Sequence, residues 1–114
     1  MQVEKRAMDS DQGDRDESGL RELDFDWHPP KSADNQKKHG VSFDEAKTIF
    51  GDQKDIVFPD RNHSDEEERY LAIGRSAQGR LILLCFTERG PKLRLISARL
   101  AESWERREYE IANE

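Results

Sequence analysis

The sequence predicts one small α+β domain in which helices pack on a single, largely antiparallel sheet. Alternation of apolar and polar residues predicts a strand near residue 25, and apolar residues at helical spacing follow it. Three apolar segments with short connections then occupy residues 68–98, which is typical of an antiparallel meander. With one more strand before the meander and a helix after it, the predicted order is β-α-α-β-β-β-β-α.

The first strand and the first helix are bounded by proline and glycine. Residues 23–27 place three apolar side chains on one face of a strand, and Pro29 and Pro30 are expected to end it. Residues 31–39 predict a short helix, because Gly40 follows at the position where a left-handed cap is favoured.

A capping box predicts the start of the second helix. Ser42 is the N-cap and Glu45 reaches back towards it, and the apolar residues that follow share one helical face as far as Gly51. Residues 55–58 predict a short strand that Pro59 stops, and a polar loop comes next.

The meander has strands predicted over residues 68–75, 80–87 and 92–98, with glycine in both turns. Its middle strand is apolar without alternation, which indicates burial on both faces. The last helix is predicted over residues 101–112, where the residues at i, i+4 and i+7, namely Trp104, Glu108 and Ile111, are spaced to pack. Trp104 is either part of this packing or exposed, and the spacing leaves both open.

Composition divides the 114 residues into an acidic leader and a folded part. Residues 1–22 hold 4 basic and 7 acidic residues without an apolar period, so we expect a disordered leader there. Residues 23–114 are expected to form the single domain. The net charge of −6 conceals a basic end, since residues 70–114 hold 8 basic and 6 acidic residues. This distribution argues against a whole-protein polyanion binder and permits a local basic face.

Several classes of protein are excluded because their motifs are missing. The histidines and the single Cys85 lack the spacing of a zinc site, so neither a metal nor another cofactor is predicted. Cys85 lies within a strand, where we expect a buried apolar residue. A lone cysteine, no secretory signal and no apolar run long enough to span a bilayer favour a soluble, cytoplasmic protein without membrane contact.

Basic and acid–base groups lie at the ends of the predicted elements, and most have a structural alternative. Residues 37–39 lie in the last turn of a helix, where cations offset the macrodipole. The acidic residues before Arg69 are compatible with a solvated loop, and Arg94 with a solvent-facing strand position. Arg99 is harder to explain by structure, because its neighbours are small or apolar.

Short motifs recur along the chain in the order found in one known family. They are Phe25–Lys31, Asn35, Lys38–Ala46, Glu68-Arg69, Ile73-Gly74, Gly79-Arg80, Thr87–Gly90, Ile96–Arg99, Glu105-Arg106 and Tyr109. Together they resemble the BrnT family of toxins over residues 25–110, and the leader lies outside the resemblance. The Lys-His-Gly-Val-Ser-Phe and Ile-Ser-Ala-Arg blocks make it specific.

The resemblance implies a RelE-like fold and a ribonuclease toxin of a type II toxin–antitoxin system, which stalls translation and is neutralised by a BrnA-type antitoxin. Operator DNA is then expected to bind only through the antitoxin complex, because the isolated chain carries a net charge of −6. The alternative is a catalytically inactive module that has kept the toxin fold and acts as antitoxin partner and transcriptional co-repressor.

RNA cleavage by its own 2′-hydroxyl needs a base, an acid and cations, and no metal is obligatory. Arg69 and Arg99 are therefore expected to bind the phosphate. His39 or Glu68 is expected to transfer protons, and Lys38 to add positive potential. In a simple meander Arg69 and Arg99 lie at opposite ends, so they meet only if the sheet is strongly twisted or curled.

Further residues are expected to bind RNA or the antitoxin. The predicted RNA-binding residues are Lys37, Arg80, Arg89 and Arg94. The antitoxin is expected to cover the basic face of the sheet and the last helix, since arginine and aromatic residues dominate tight interfaces. Its predicted contacts are Arg94, Trp104 and Tyr109.

Overall fold

Five strands form one sheet, with helices on both of its faces. The structure is a computed structural model that describes residues 23–62 and 67–114. Its elements are β1 (Asp24–Asp26), α1 (Pro29–His39), α2 (Phe43–Ala46), β2 (Ile56–Pro59), β3 (Arg69–Arg75), β4 (Leu81–Arg89), β5 (Lys92–Leu100) and α3 (Ser103–Ala112). A 3₁₀ helix, Lys47–Gly51, continues α2. The predicted order β-α-α-β-β-β-β-α is confirmed, whereas the predicted leader over residues 1–22 lies outside the described residues.

The sheet has the strand order β1-β5-β4-β3-β2. β3, β4 and β5 pair antiparallel, as the meander predicts. β2 pairs antiparallel to β3, and β1 pairs parallel to β5. No helix among the described residues is long and apolar enough to cross a membrane. The pairing of β1 ends at Arg94, so the remaining edge of β5 is available to another element.

α1 covers this edge of β5 through a buried asparagine. Asn35 Nδ2 donates to the carbonyl oxygens of Val41 and Ala98, both at 2.8 Å, and Asn35 Oδ1 accepts from Ala98 N at 3.1 Å. A buried backbone group without a partner costs about 1–3 kcal/mol, so this side chain takes the place of a neighbouring strand. Pro29 and Pro30 start α1 rather than merely ending β1, because the first helical turn needs no backbone N–H.

The face of the sheet that α1 and α2 cover, the α1/α2 face, holds the main core. Its buried residues are Val41, Phe43, Ala46, Ile49, Ala72, Ile82, Leu84, Phe86, Leu95 and Ala98. Phe86 packs edge-on against Phe50 and stacks on Tyr70, with ring centroids 5.5 and 5.6 Å apart. Such pairs contribute about 0.5–1.5 kcal/mol beyond the area they bury.

The opposite face of the sheet, the α3 face, is covered at one end by α3. Ile73, Leu81 and Leu83 pack with Tyr109 of this helix. The Tyr109 hydroxyl donates to Asp52 Oδ2 at 2.7 Å, and burial together with this hydrogen bond raises the pKa of Tyr109. α3 is therefore held in place in two ways: Tyr109 packs on the apolar residues of the sheet, and its hydroxyl is hydrogen-bonded to Asp52, which lies outside the sheet.

The predicted packing of the last helix is wrong. Trp104 and Ile111 are 52% and 53% exposed, and Glu108 is exposed as well. Glu105 and Tyr109 are buried instead. The helix is thus rotated by about one residue, roughly 100°, because contacts distant in sequence hold the buried pair.

A β-bulge bends β5. Cys85 lies opposite Ser97 but Phe86 lies opposite Leu95, so that Ile96 is an additional residue in the strand. A bulge increases the local twist and bends its strand. The sheet is therefore curled at the level of Cys85.

A buried carboxylate ties α2 to the turn between β3 and β4. Glu45 accepts from Arg80 Nε at 2.9 Å and from Ser76 Oγ at 2.8 Å. Arg80 Nη2 also donates to the carbonyl of Gly40 at 2.8 Å. The hydrogen bonds from Arg80, helped by Ser76, hold the pKa of Glu45 below its ordinary value although burial acts to raise it.

We expect Glu45→Gln to lower the melting temperature at neutral pH and to flatten the acid side of the stability curve. Folding lowers the pKa of Glu45, so its contribution is complete above the ordinary carboxylate pKa of about 4.3 and is lost as the pH falls through the folded value. Thermal melts across the acid range measure this. Asp44→Asn is the matched control, because its side chain is 78% exposed. A Glu45→Gln curve that runs parallel to that of the parent would contradict the expectation.

Candidate active site

A cleft of 450 Å³ lies on the α3 face, beside the start of α3. Its volume falls within the range of about 300–1,000 Å³ in which small ligands bind. The lining residues come from the end of α1, the loop after β2, the three central strands and the start of α3. They are His39, Asp60, Asn62, Arg69, Leu71, Leu83, Cys85, Ile96, Ser97, Ala98, Arg99, Trp104 and Glu105.

The floor of the cleft is apolar. Leu71, Leu83 and Cys85 belong to β3 and β4, and Ile96 is the bulged residue of β5. Burial raises the pKa of the Cys85 thiol to about 11, so the thiol stays protonated at neutral pH. The prediction that Cys85 is a buried apolar residue is confirmed.

Arg99 is fixed at one end of the cleft by Glu105. Nη1 and Nη2 of Arg99 donate to the two carboxylate oxygens at 2.8 and 2.7 Å, and Nη1 also donates to the carbonyl of Leu100 at 3.2 Å. These bonds with Glu105 raise the pKa of Arg99 further, so its charge is permanent. Glu105 is fully buried, whereas the Arg99 side chain is 33% exposed. The guanidinium is therefore both oriented and accessible.

Arg69 lines the other end of the cleft. Arg69 lies opposite Thr87 of β4, and Arg99 lies opposite Leu83 of the same strand. The two arginines are therefore separated by four residues, about 13 Å, along β4. The two arginines share one face of the curled sheet and one cleft. Arg69 Nη2 lies 3.8 Å from Glu67 Oε2. The predicted phosphate-binding pair thus brackets the apolar floor from its two ends.

His39 reaches the cleft because α1 packs along the edge of β5. It is exposed, and it lies in the last turn of α1 before Gly40, whose φ of 75° ends the helix. Lys37 and Lys38 are exposed in the same turn, but they do not line the cleft. Of the three basic residues predicted here, His39 is the one that the cleft contains.

Glu68 does not line the cleft. Its Oε1 accepts from the Tyr70 hydroxyl at 3.1 Å, and Tyr70 packs against the core of the α1/α2 face. Glu68 directly precedes β3, and its contact with Tyr70 places its carboxylate on the side of the sheet opposite Arg69, because Tyr70 and Arg69 are successive strand residues. The geometry therefore does not support Glu68 as a proton-transfer group beside Arg69.

The other predicted RNA-binding arginines lie outside the cleft. Arg80 is bound in the contact that ties α2 to the sheet. Arg89 is half-exposed, with Nη2 3.5 Å from Glu67 Oε1. Arg94 lies on the α3 face and donates to Asp26 Oδ2 at 2.7 Å, with its side chain 32% exposed.

The predicted antitoxin contacts differ in accessibility. Trp104 is 52% exposed and lines the cleft, which settles the alternative that the sequence left open. Tyr109 is 7% exposed and holds α3 to Asp52, so it is a packing residue rather than a surface anchor.

The cleft also contains polar residues that the sequence analysis did not single out. Asp60 is 7% exposed, its N donates to the carbonyl of Arg69 at 2.8 Å, and its Oδ1 accepts from Asn62 N at 3.3 Å. Its position directly after a proline-terminated strand is the sequence signal that could have pointed to it. Ser97 and Glu105 lie within motifs that carry the family resemblance, but nothing local to them predicted a place in the cleft. Within residues 23–62 and 67–114, no group of three or more His, Cys, Asp or Glu side chains is arranged to hold a metal ion.

Comparison with known proteins identifies the family. The matching family model is that of the ribonuclease toxin, BrnT, of type II toxin–antitoxin systems, and it spans residues 27–105. The crystal structure of the ribonuclease toxin BrnT from Brucella abortus is similar, with 27% sequence identity and a TM-score of 0.55. That match covers 71% of this chain and 99% of the Brucella chain. A search of curated proteins finds no match.

The fold and the family match together define a ribonuclease toxin of a type II toxin–antitoxin system. Because the family model covers more than half of its residues, the chain belongs to the BrnT family.

Proposed function

We propose that this chain is a cytoplasmic, metal-independent endoribonuclease that promotes attack of a 2′-hydroxyl of RNA on the adjacent phosphorus. The observation that carries the proposal is the convergence of Arg69, Arg99 and His39 on one cleft. Arg99 supplies a cation for the reacting phosphate and His39 a proton-transfer group, whereas Arg69, about 13 Å away along β4, is placed to bind another phosphate of the same RNA strand. Asp60, in the same cleft, supplies a second proton-transfer group.

The proposed reaction forms the bond between O2′ and phosphorus and breaks the bond between phosphorus and O5′. One group takes the proton of the 2′-hydroxyl, and a second gives a proton to the leaving 5′-oxygen. We assign these two steps to His39 and Asp60, since both line the cleft. Lys37 and Lys38, in the same turn as His39, add positive potential at its rim. The products are a 2′,3′-cyclic phosphate and a 5′-hydroxyl.

Arg99 keeps donors for a phosphate although Glu105 binds it. A guanidinium has five N–H donors. Nη1 donates one hydrogen to Glu105 and the other to the carbonyl of Leu100, and Nη2 donates one hydrogen to Glu105. Nε and the second hydrogen of Nη2 are left, and they lie side by side as a fork that matches two phosphate oxygens. Arg94 and Arg89 extend the basic surface to flanking phosphates, whereas Arg80 lies away from the cleft.

The purified chain should cleave single-stranded RNA in the presence of a chelator. Because the proposed nucleophile is the 2′-hydroxyl, the products should carry 2′,3′-cyclic phosphate ends, which can be identified by mass spectrometry. A 2′-O-methyl copy of the same RNA is the control, and it should remain intact. Cleavage that appears only after a divalent cation is added, or that leaves 5′-phosphate ends, would contradict the proposed mechanism.

The inactive co-repressor is the second candidate function, and one observation favours it. Glu105 already neutralises Arg99 through two hydrogen bonds, so the cleft offers less net positive charge than its arginines suggest. Under this alternative, RNA remains intact in the chelator experiment with and without metal, while the chain still binds its antitoxin.

Arg99→Lys should lower the melting temperature, because a lysine cannot make both hydrogen bonds to the buried Glu105, and should reduce cleavage by far more than this loss of stability explains. The lysine keeps the charge but lacks the planar fork that binds two phosphate oxygens, so we expect cleavage to fall by on the order of 10²-fold or more. Arg75→Lys, on β3 and outside the cleft, is the matched control. Cleavage rates and thermal melts of both variants provide the measurement. If Arg99→Lys cleaved RNA like the parent, Arg99 would have no role at the phosphate.

We further propose that a BrnA-type antitoxin covers the cleft and thereby blocks RNA. Arg94 and Trp104 are its proposed contacts, because both are accessible on the α3 face. Tyr109 contributes indirectly by holding α3 in place. Operator DNA is then bound by the complex, because the chain alone carries a net charge of −6, which opposes binding to DNA.

Inhibition by the antitoxin should be competitive with RNA, since both would occupy one surface. Hydrogen exchange with and without the antitoxin should show protection in β5 and the start of α3. Gel shifts with operator DNA should detect binding by the complex and none by the chain alone. Protection confined to residues 31–50, or inhibition that added RNA does not relieve, would contradict this placement.

A further inference from the structure

Trp104 is a large apolar residue that is exposed to solvent at the edge of the cleft. Its side chain is 52% exposed in the first turn of α3, yet it forms part of the wall of the cleft. Ile111, on the same helix, is 53% exposed but does not line the cleft. A large aromatic ring at the edge of a cleft offers a flat apolar surface to whatever enters.

The cleft is divided into an apolar part and a charged part. Leu71, Leu83 and Ile96 form an apolar floor, and Arg69 and Arg99 stand at its two ends. A nucleotide has the same division, because its base has two apolar faces and its phosphates carry the charge. The floor with Trp104 therefore fits a base, while the arginines fit the phosphates on either side of it.

We infer that Trp104 stacks on an unpaired base of the substrate, which lies over the apolar floor of the cleft. This inference rests on the proposed ribonuclease function and adds the side chain that selects an unpaired base. In a duplex the faces of each base are covered by the neighbouring bases, so the ring of Trp104 cannot stack on them. In this role Trp104 is a positioning residue that holds the nucleotide next to the reacting phosphate.

The same exposed ring would also suit a protein partner, and the two roles differ in what they predict. A residue used only by the antitoxin leaves the affinity for RNA unchanged when it is truncated. A stacking residue lowers that affinity in the absence of any antitoxin. Binding measured on the isolated chain therefore separates them.

Binding of a short, fluorescently labelled 2′-O-methyl RNA, measured by anisotropy with the full chain, tests the inference. This probe lacks the 2′-hydroxyl, so it reports binding whether or not the chain cleaves RNA. Trp104→Ala should weaken binding by on the order of tenfold, and Trp104→Phe should restore most of the loss, because phenylalanine also stacks. Ile111→Ala is the matched control, since it removes an equally exposed apolar side chain from the same helix without touching the cleft.

Two further probes separate stacking from charge. An abasic oligonucleotide with the same number of phosphates, and a duplex of the same sequence, should both bind more weakly than the single strand. In a Trp27→Phe background Trp104 is the one remaining tryptophan of the chain, and its fluorescence should be quenched when the single strand binds.

Equal affinity of Trp104→Ala and the parent, or equal binding of the abasic, duplex and single-stranded probes, would overturn the inference. If such a result were found and the chain still cleaved RNA, the ribonuclease proposal would stand without the stacking role. If the single strand bound and quenched Trp104 while RNA stayed intact, the base-binding site would stand and the proposed cleavage would fall.

Discussion

The bidentate ion pair between Arg99 and Glu105 is the interaction on which the rest of this architecture depends. Glu105 is fully buried and also accepts from the backbone N of Glu102 at 2.8 Å, which completes the capping box of α3. One carboxylate therefore starts the helix, attaches it to β5 and orients an arginine of the cleft. A buried charge that loses its partner is strongly destabilising, so the fold and the site are coupled through this contact.

The shape of the cleft follows from where this ion pair places α3. The helix begins after the end of β5, and its Tyr109 packs on the part of the sheet that holds Ile73 and Leu81. The bulge at Ile96 curls the remainder of the face, so its apolar side chains become the floor of a cleft between the arginines. The open half of the sheet is therefore a consequence of the short last helix and its fixed starting point.

Local patterns predicted the order of the elements, and four of the predicted site residues line the cleft, namely His39, Arg69, Arg99 and Trp104. Strand alternation would already have placed Glu68 on the face opposite Arg69, because adjacent strand residues point in opposite directions. The rotation of α3 could not be predicted in this way. Its apolar spacing favours Trp104 and Ile111 as buried residues, and only contacts distant in sequence turn the helix towards Glu105. Asn35, which takes the place of a strand at the edge of β5, likewise has a role that only the topology reveals.

Three arginines on the α3 face lie beside a carboxylate, and this pairing limits the attraction for RNA under the proposed function. Arg99 binds Glu105, Arg94 binds Asp26, and Arg69 lies near Glu67. A chain with a net charge of −6 attracts a polyanion only weakly over long distances. At physiological salt the interaction between exposed charges is largely screened beyond about 8–10 Å. Under the proposed function, RNA is therefore held by short-range contacts, namely the proposed fork of Arg99 on a phosphate and the proposed stacking of a base on Trp104. The proposal is compatible with an acidic chain because Glu105 orients Arg99 as well as offsetting its charge.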